Sequence, residues 1–335
     1  MHWLRARGRL SRQMLIIGAG PEAEDFANEV ERHGELGLVV IGHLRGPSDV
    51  EPAVSRPILG NLDDIGEVLH ANVIDEVGMS LARPDWPLME PATRICEEEG
   101  KIVRVSVAPL GGMLAGGHYE ELGRLPIVTF LYGPDRAIGM ALKRAFDIVA
   151  SALLLVLLSP LMLLIALYIR LLDGPPVLFR QVRVGLHGRP FTCLKFRTMV
   201  PDAEARMPEL AHLNEVAGPA FKIASDPRVT RTGRGLRRSS LDELPQLINV
   251  LRGEMSIVGP RPATPAEVAQ YDVWHRRRLS MRPGLTGLWQ VQARNDVTFD
   301  QRARLDLQYI DRWTIWLDVK ILLRTIPAMV IQQGS

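Results

Sequence analysis

Two adjacent carboxylates, Asp242 and Glu243, follow a strongly basic stretch of the sequence. A structural role is open to them, because Ser240 and Glu243 have capping-box spacing and acids in a first helical turn favour the positive end of the helix dipole. A chemical role is also open. A carboxylate can attack phosphorus when a divalent ion and guanidinium groups neutralise a diphosphate, and Mg²⁺ prefers carboxylate and phosphate oxygens. The arginines before the pair therefore make phosphoryl transfer a candidate chemistry; they are Arg231, Arg234, Arg237 and Arg238.

Further cations occur in patterns that suit phosphate binding. Strand alternation would place Lys195 and Arg197 on one face, where two cations on a rigid element suit a polyphosphate, although a solvated edge strand explains that pair alone equally well. Arg261 stands between two prolines, and Arg282 begins a second proline-glycine turn. Arginines held in rigid turns lose less entropy when they bind phosphate bidentately.

Length and composition limit the classes of protein to which these residues can belong. A chain of 335 residues is long enough for two domains, and 47% hydrophobic residues exclude a polytopic transporter. Residues 1–140 carry 13 Lys and Arg against 21 Asp and Glu, whereas the remainder carries 27 against 17. The basic half is therefore expected to meet phosphates or an anionic lipid surface; no nucleic-acid partner is predicted. Cys96 and Cys193 indicate neither a disulfide framework nor a zinc site, which fits a cytosol-facing location.

The first half has the pattern of an α/β domain. After a basic lead, residues 1–13, a short apolar strand is followed by Gly18-Ala19-Gly20 and a helical pattern. Glycines in this place let backbone amides approach a phosphate, so Gly18 and Gly20 are candidate nucleotide contacts. Further strands are predicted at residues 38–41, 76–80, 102–107 and 125–131, with a glycine-rich linker at 110–117. Residues 14–132 are therefore predicted to form a Rossmann-like, doubly wound parallel sheet.

The glycine pattern supports the fold more than a cofactor. An NAD site usually has Asp or Glu at the end of the second strand, where this chain has Gly42-His43-Leu44-Arg45. No Tyr-x-x-x-Lys pair is present, which removes the usual acid/base pair of a sugar-nucleotide epimerase. A structural or regulatory module, a nucleotide-binding module and a redox domain all remain open.

One apolar segment is long enough to cross a bilayer. Residues 148–169 carry no charge, and a membrane helix is predicted over residues 145–170. Pro160 lacks an N–H group, so the helix should kink or break near Ser159, whose hydroxyl is available to a freed carbonyl. Positive charges flank both ends, as in a helix that enters and leaves by one face. The residues alone leave three interpretations: a kinked spanning helix, a re-entrant hairpin and a buried core helix.

From Lys143 to the C-terminus the chain resembles the bacterial sugar transferase family, the polyprenyl-phosphate sugar-1-phosphate transferases. The stretches that carry the resemblance are KRAFDIVASALLLVLLSPLMLLIAL, FRQVRVG, LKFRTM, LDELPQLINVLRGEMSIVGPRP and RPGLTGLWQV. Residues 140–335 are therefore predicted to be the transferase domain. The first domain resembles the module that the undecaprenyl-phosphate glucose or galactose phosphotransferase type carries ahead of it. Those relatives begin with several transmembrane helices that are not seen in this sequence. The chain is therefore expected to be either a natural or an artificial short form.

The resemblance implies a mainly α, monotopic domain at the bacterial inner membrane, with its active site facing the cytoplasm. Its membrane helix would be re-entrant and broken at Ser159 and Pro160. Asp242 would be the nucleophile and Glu243 its partner at a Mg²⁺ site, with a UDP-sugar as donor, UMP released and undecaprenyl phosphate as acceptor. The reaction would start exopolysaccharide, capsule or O-antigen synthesis. The family's basic site residues correspond to Lys195, Arg197, Arg237 and Arg261, with Arg237 and Arg261 favoured as phosphate ligands.

Two other functions compete with this one. A membrane-anchored scaffold would bind nucleotide sugars without turnover, and a soluble sugar-nucleotide oxidoreductase would rest on the glycine turn alone. Membrane lipid is an expected partner, and a Rossmann-like module beside a membrane domain is compatible with a homodimer. No stretch of the sequence identifies the donor sugar.

Overall fold

A computed structural model describes residues 12–34, 37–49, 51–107, 120–122, 125–130, 137–210, 212, 223, 226–292 and 298–331. The chain divides into two compact units, residues 1–135 and 136–335, called here the first and second units. The predicted linker at residues 110–117 and most of the predicted basic lead lie outside the described residues.

The first unit contains a seven-stranded mixed sheet. Its strands are β1 (Arg12–Ile17), β2 (Leu38–Arg45), β3 (Ile58–Asn61), β4 (Glu76–Met79), β5 (Ile102–Ser106), β6 (Glu120–Leu122) and β7 (Leu125–Phe130), in the order β3-β2-β1-β4-β5-β7-β6. Strands β1, β2, β4 and β5 pair in parallel, as predicted, and β3, which the sequence did not predict, pairs in parallel with β2. The prediction of an all-parallel sheet is wrong at the other edge, because β7 pairs antiparallel with β5 and with β6. Only two residues join β6 to β7, too few for a parallel crossover.

Both faces of this sheet are covered. Met14 and Ile16 pack into one apolar cluster, Leu15 and Ile17 pack into another, and all four side chains are fully buried. Burial on both faces explains why β1 ends in a continuous apolar run and not in alternating polar and apolar residues. The helices of the unit are α1 (Pro21–Arg32), α2 (Ile65–Ala71) and α3 (Met89–Glu98).

The second unit is mainly helical. Its helices are α4 (Ala137–Leu172), α5 (Arg231–Arg238), α6 (Gln246–Arg252), α7 (Pro265–Val268), α8 (Val273–Arg276), α9 (Leu288–Gln292), α10 (Phe299–Asp311) and α11 (Ile315–Ile331). A hairpin joins β8 (Leu178–Val184) to β9 (Pro190–Phe196), and β10 (Ser256–Val258) pairs in parallel with β11 (Gly284–Thr286).

Helix α4 is the long apolar helix that the sequence predicts. Its length and composition would let it cross a membrane, and only 11% of its most apolar 18-residue window is buried within the chain. That exposure argues against the buried core helix. Helical structure continues through Pro160, and the Ser159 hydroxyl donates to the carbonyl of Val156 at 2.8 Å. This carbonyl is the one that the missing N–H of Pro160 leaves free, so the predicted role of Ser159 is confirmed. The break and the re-entrant path stay predictions.

Candidate active site

Asp242 and Glu243 lie in a single 3-10 turn, residues 241–243, just before α6. The turn is entered through Ser240, whose backbone is left-handed with φ 55°. Ser240 makes no side-chain capping hydrogen bond, and α6 begins only at Gln246 without a side-chain cap. The capping explanation of the two acids is therefore wrong. Their side chains are placed by the turn, and they are free of a role in helix capping.

The two carboxyl groups have different surroundings. Asp242 is only 7% exposed, and burial raises the pKa of its carboxyl to about 6, against the opposing charges of Lys195 and Arg237. Glu243 Oε1 accepts a hydrogen bond from Lys195 Nζ at 2.6 Å. Burial alone would raise the pKa of Glu243, but the charges of Lys195 and Arg261 hold it below its ordinary value. Neighbouring carboxyl groups with pKa values driven apart are suited to separate roles.

Lys195 and Arg237 reach the pair from two different elements. Lys195 is the next-to-last residue of β9, and Arg237 lies in the last turn of α5. Arg237 Nε donates to Thr198 Oγ1 at 2.9 Å, which ties α5 to the segment after β9. Burial lowers the pKa of Arg237, and the charge of Asp242 opposes that effect. The structure therefore brings Lys195 and Arg237 into the electrostatic surroundings of Asp242.

Close backbone packing fixes the position of α5. A Cβ at Gly233 would lie 2.1 Å from the carbonyl oxygen of Thr198, so the contact requires glycine. Thr230 caps the helix by accepting from the Gly233 amide. Thr198 and Gly233 are site-building residues that the sequence did not single out, although Thr198 belongs to the LKFRTM stretch.

Arg261 is placed by the contact between two turns. Gly259 N donates to the carbonyl of Thr286, and Gly284 N donates to that of Pro260. A Cβ on either glycine would collide with the backbone of the other turn. Arg183 Nη1 also donates to the carbonyl of Pro262 at 3.0 Å. Within the described residues, no hydrogen bond or ion pair uses the Arg261 guanidinium. This exposed cation acts on the carboxyl pair through its charge, which helps to lower the pKa of Glu243.

Arg197 directly follows the last residue of β9, Phe196, and its amide donates to the carbonyl of Val177 at 2.9 Å. Its side chain has other partners than Lys195, and a shared face of the two cations stays a prediction. The buried Arg197 side chain donates through Nη2 to the carbonyls of Asp173 and Gly174, in the turn after α4. Its Nε and Nη1 atoms are buried and have no hydrogen-bond partner in the part of the chain that is described. A phosphate-binding role for Arg197 stays a prediction.

Gly18 and Gly20 lie at the carboxyl end of β1, in the first unit. Gly18 has φ +117°, and a Cβ there would meet the carbonyl oxygen of Ser80 at 2.1 Å. The amide of Ala19 donates to the Asp49 carboxylate at 2.8 Å, and so does the amide of Gly46. The Asp49 carboxylate therefore already accepts a hydrogen bond from this turn. A nucleotide contact at Gly18 and Gly20 stays a prediction.

The carboxyl pair is also where a metal ion could bind. Among the described residues, no three His, Cys, Asp or Glu side chains converge into a protein-only metal site. Mg²⁺, however, is commonly held by one or two carboxylates together with substrate phosphates and water. Asp242 and Glu243 fit that kind of site.

The family is decided by comparison with known proteins. Residues 138–332 match the family model described as bacterial sugar transferase. The chain belongs to this family. It is 44% identical to the exopolysaccharide production protein ExoY of Rhizobium meliloti over 207 residues, 61% of this chain and 92% of the relative. The resemblance found in the motifs, and with it the assignment of the chain as a transferase, is confirmed.

Two longer relatives also match the first unit of this sugar transferase. The undecaprenyl-phosphate galactose phosphotransferase of Salmonella typhimurium is 44% identical over 345 aligned positions, which cover 100% of this chain and 71% of the relative. The UDP-glucose:undecaprenyl-phosphate glucose-1-phosphate transferase of Escherichia coli is 32% identical over 332 positions, which cover 97% of this chain and 69% of the relative.

Proposed function

We propose that this sugar transferase moves a sugar 1-phosphate from a UDP-sugar to undecaprenyl phosphate through a covalent intermediate on Asp242. The observation that carries the proposal is the buried Asp242 carboxyl beside Lys195 and Arg237, with Glu243 held separately by Lys195. The names of the relatives support the lipid acceptor and a place in exopolysaccharide synthesis.

The chemistry has two balanced displacements at one phosphorus atom. An Asp242 oxygen attacks the phosphorus that bears the sugar, the bond to the bridging oxygen breaks, and UMP leaves with that electron pair. An oxygen of undecaprenyl phosphate then attacks the same phosphorus, the Asp242–phosphorus bond breaks, and the carboxylate is restored. The first step exchanges a phosphoanhydride for an acyl phosphate and the second forms a new phosphoanhydride, so the net reaction exchanges one phosphoanhydride for another.

The residues around Asp242 have separate tasks in this scheme. Arg237 offsets the charge of the phosphoryl group under attack, and Arg261 offers its unpaired guanidinium to the second phosphate of the donor. Lys195 holds Glu243 in place and favours the ionised, nucleophilic form of Asp242. Mg²⁺, when bound at Asp242 and Glu243, would supply further neutralisation of the diphosphate.

The membrane helix belongs to the same proposal. Helix α4 would enter the inner membrane and return to the cytoplasmic face, which would keep the active site beside the headgroup of the lipid acceptor. Exposed apolar side chains along α4, and cations at both of its ends, support this arrangement.

The test is UMP release from a panel of UDP-sugars by detergent-solubilised protein with Mg²⁺ and undecaprenyl phosphate. We expect UMP with at least one donor, and a loss of about a thousandfold or more in Asp242→Asn. The matched control is Asp202→Asn, because Asp202 is an exposed carboxylate paired with Arg206, and this variant should keep the wild-type rate. Donor binding without UMP release would favour the scaffold function.

A further inference from the structure

Arg261 also lines a narrow cleft in the second unit. Most of the lining is cationic or aromatic, and one carboxylate, Glu267, also lines the cleft; the cationic and aromatic residues are Arg261, Tyr271, Arg278, Trp289, Phe299 and Arg302. The charge of Arg261 helps to lower the pKa of Glu243 in the carboxyl pair, and burial together with that same charge lowers the pKa of Arg302 in the cleft. Arg261 therefore stands within electrostatic reach of both places.

One wall of the cleft is rigid. Arg278 is buried and donates through Nε to Asp306 at 2.9 Å, with an ion-pair distance of 2.7 Å from Nη2 to the same carboxylate, and its Nη1 donates to the Tyr271 hydroxyl at 2.8 Å. The same guanidinium lies 5.5 Å from the centre of the Tyr271 ring and 5.6 Å from that of Phe299. These contacts hold the two aromatic rings in place before any ligand arrives.

Trp289 and Arg302 lie together on the cleft. The Arg302 guanidinium is 5.2 Å from the centre of the Trp289 ring. The indole Nε1 is buried, and in the described part of the chain it has no hydrogen-bond acceptor. Buried donors are seldom left unpaired, so this N–H is available to an acceptor on a ligand. An aromatic surface with neighbouring cations suits a nucleobase, which stacks and carries carbonyl oxygens.

The order of groups in the donor relates the cleft to the carboxyl pair. In a nucleotide sugar the second phosphate lies between the sugar phosphate and the nucleoside. If Asp242 attacks the sugar phosphate and Arg261 holds the second phosphate, the nucleoside must lie beyond Arg261. The cleft is narrow and open to solvent, with a cavity volume of only about 30 Å³, so a nucleoside would lie across its mouth and not be enclosed by it.

We propose that the cleft beside Arg261 binds the nucleoside of the donor, with the base against Trp289 and an oxygen of the nucleoside accepting from the indole N–H. The inference rests on the proposed function, since it assigns a place to one half of that donor. A lipid phosphate could also bind Arg261, but it has no base that would depend on Trp289.

Equilibrium dialysis of the detergent-solubilised protein against UMP and against ribose 5-phosphate tests the proposal. The wild type should bind UMP more tightly than ribose 5-phosphate. Trp289→Ala should weaken UMP binding by about 5- to 150-fold and remove that preference, because a base stacked on an aromatic ring contributes on that scale. Trp289→Phe, which keeps a ring, should retain more UMP affinity than Trp289→Ala and thereby exclude misfolding as the cause.

The matched control is Trp274→Ala. Trp274 also lies near an arginine, with the Arg304 guanidinium 5.7 Å from its ring, but it lines a separate open groove. This variant should bind UMP as the wild type does. Equal affinities of the wild type for UMP and ribose 5-phosphate, no UMP binding at all, or unchanged UMP binding in Trp289→Ala would overturn the proposal. A Trp289→Ala variant that raises KM for undecaprenyl phosphate and not for the donor would assign the cleft to the lipid and overturn it too.

UMP binding and UMP release report on different claims. Asp242→Asn should still bind UMP, because the cleft takes no part in the displacement. Trp289-dependent UMP binding without release from any UDP-sugar would contradict the proposed transfer and leave the nucleoside site standing. UMP release by Trp289→Ala with the wild-type KM for the UDP-sugar would contradict the nucleoside site but would leave the proposed transfer standing.

Discussion

At the scale of single residues, burial of Asp242, the proposed nucleophile, has a cost in stability. The pKa of the Asp242 carboxyl is raised from an ordinary 3.8 to about 6, mainly because it is buried. A carboxyl group whose pKa is higher in the folded chain than in the unfolded chain opposes folding once it is ionised. That penalty is absent below about pH 4 and fully present above about pH 6. The buried Asp242 carboxyl is therefore expected to destabilise the protein at neutral pH.

Replacement of this carboxyl by an amide should relieve the penalty. With a chelator present, Asp242→Asn should raise Tm by about 2–8 °C at pH 8 and leave it unchanged at pH 4. The measurement is thermal unfolding of wild type and variant at both pH values. Asp202→Asn is the control. An equal Tm difference at pH 4 and pH 8 would show that ionisation of Asp242 is not its cause.

Lys195 should set the pH range of activity. Its charge lowers the pKa of both Asp242 and Glu243, so its loss should raise both. The acidic limb of the pH profile for UMP release should therefore move to higher pH in Lys195→Met and return towards the wild-type position in Lys195→Arg. A lower rate at every pH without movement of the limb would contradict this electrostatic role.

At the scale of helices and strands, the site depends on backbones that approach closely at glycines. Helix α5 contains two glycines, one at a close backbone contact and one in open space. Gly233 packs against Thr198, whereas a Cβ at Gly235 would meet nothing within 4 Å. The two glycines thus form a matched pair on the helix that carries Arg237.

Alanine at these two positions should have opposite effects. Gly233→Ala should destabilise the protein by about 1–3 kcal/mol and slow UMP release, because α5 must move away from Thr198 and take Arg237 with it. Gly235→Ala should be neutral or stabilising by up to about 1 kcal/mol, since alanine favours a helix. Tm and initial rates of both variants are the readout. Similar losses in both would refute the packing argument.

Local features of these elements could be predicted from the sequence, and distant contacts could not. The glycine turn after β1 and the bond from Ser159 to Val156 involve neighbouring residues, so local patterns reveal them. The bond from Ala19 to Asp49 joins residues far apart in sequence, as does the packing of Gly259 on Gly284. The bonds from Arg197 to the carbonyls of Asp173 and Gly174 also join residues that are distant in sequence.

At the scale of the whole molecule, the two units contribute different properties. The charge excess of the second half was predicted to mark a phosphate or lipid surface, and the family match at residues 138–332 covers that half. The first unit supplies a mixed sheet whose glycine turn is bonded by Asp49. The carboxyl pair, its cations and the apolar helix α4 all belong to the second unit.

The proposed re-entrant path of α4 predicts that both of its ends are accessible from the cytoplasmic face. Ile138 and Leu172 are 79% and 62% exposed, so each can be replaced by cysteine, while the native Cys96 and Cys193 are buried. In sealed inverted membrane vesicles, an impermeant maleimide should label Ile138→Cys and Leu172→Cys alike from the cytoplasmic face. Labelling of only one of them would indicate a spanning helix. Wild-type protein supplies the background.

The proposed covalent intermediate on Asp242 is tested most directly by intact mass. The detergent-solubilised protein is incubated with Mg²⁺ and each UDP-sugar, without the lipid acceptor, and peptide mapping then locates any adduct. We predict a mass increase equal to one sugar phosphate, located on Asp242, absent from Asp242→Asn and removed by undecaprenyl phosphate. An adduct on another residue, or UMP release by Asp242→Asn at the wild-type rate, would contradict the account.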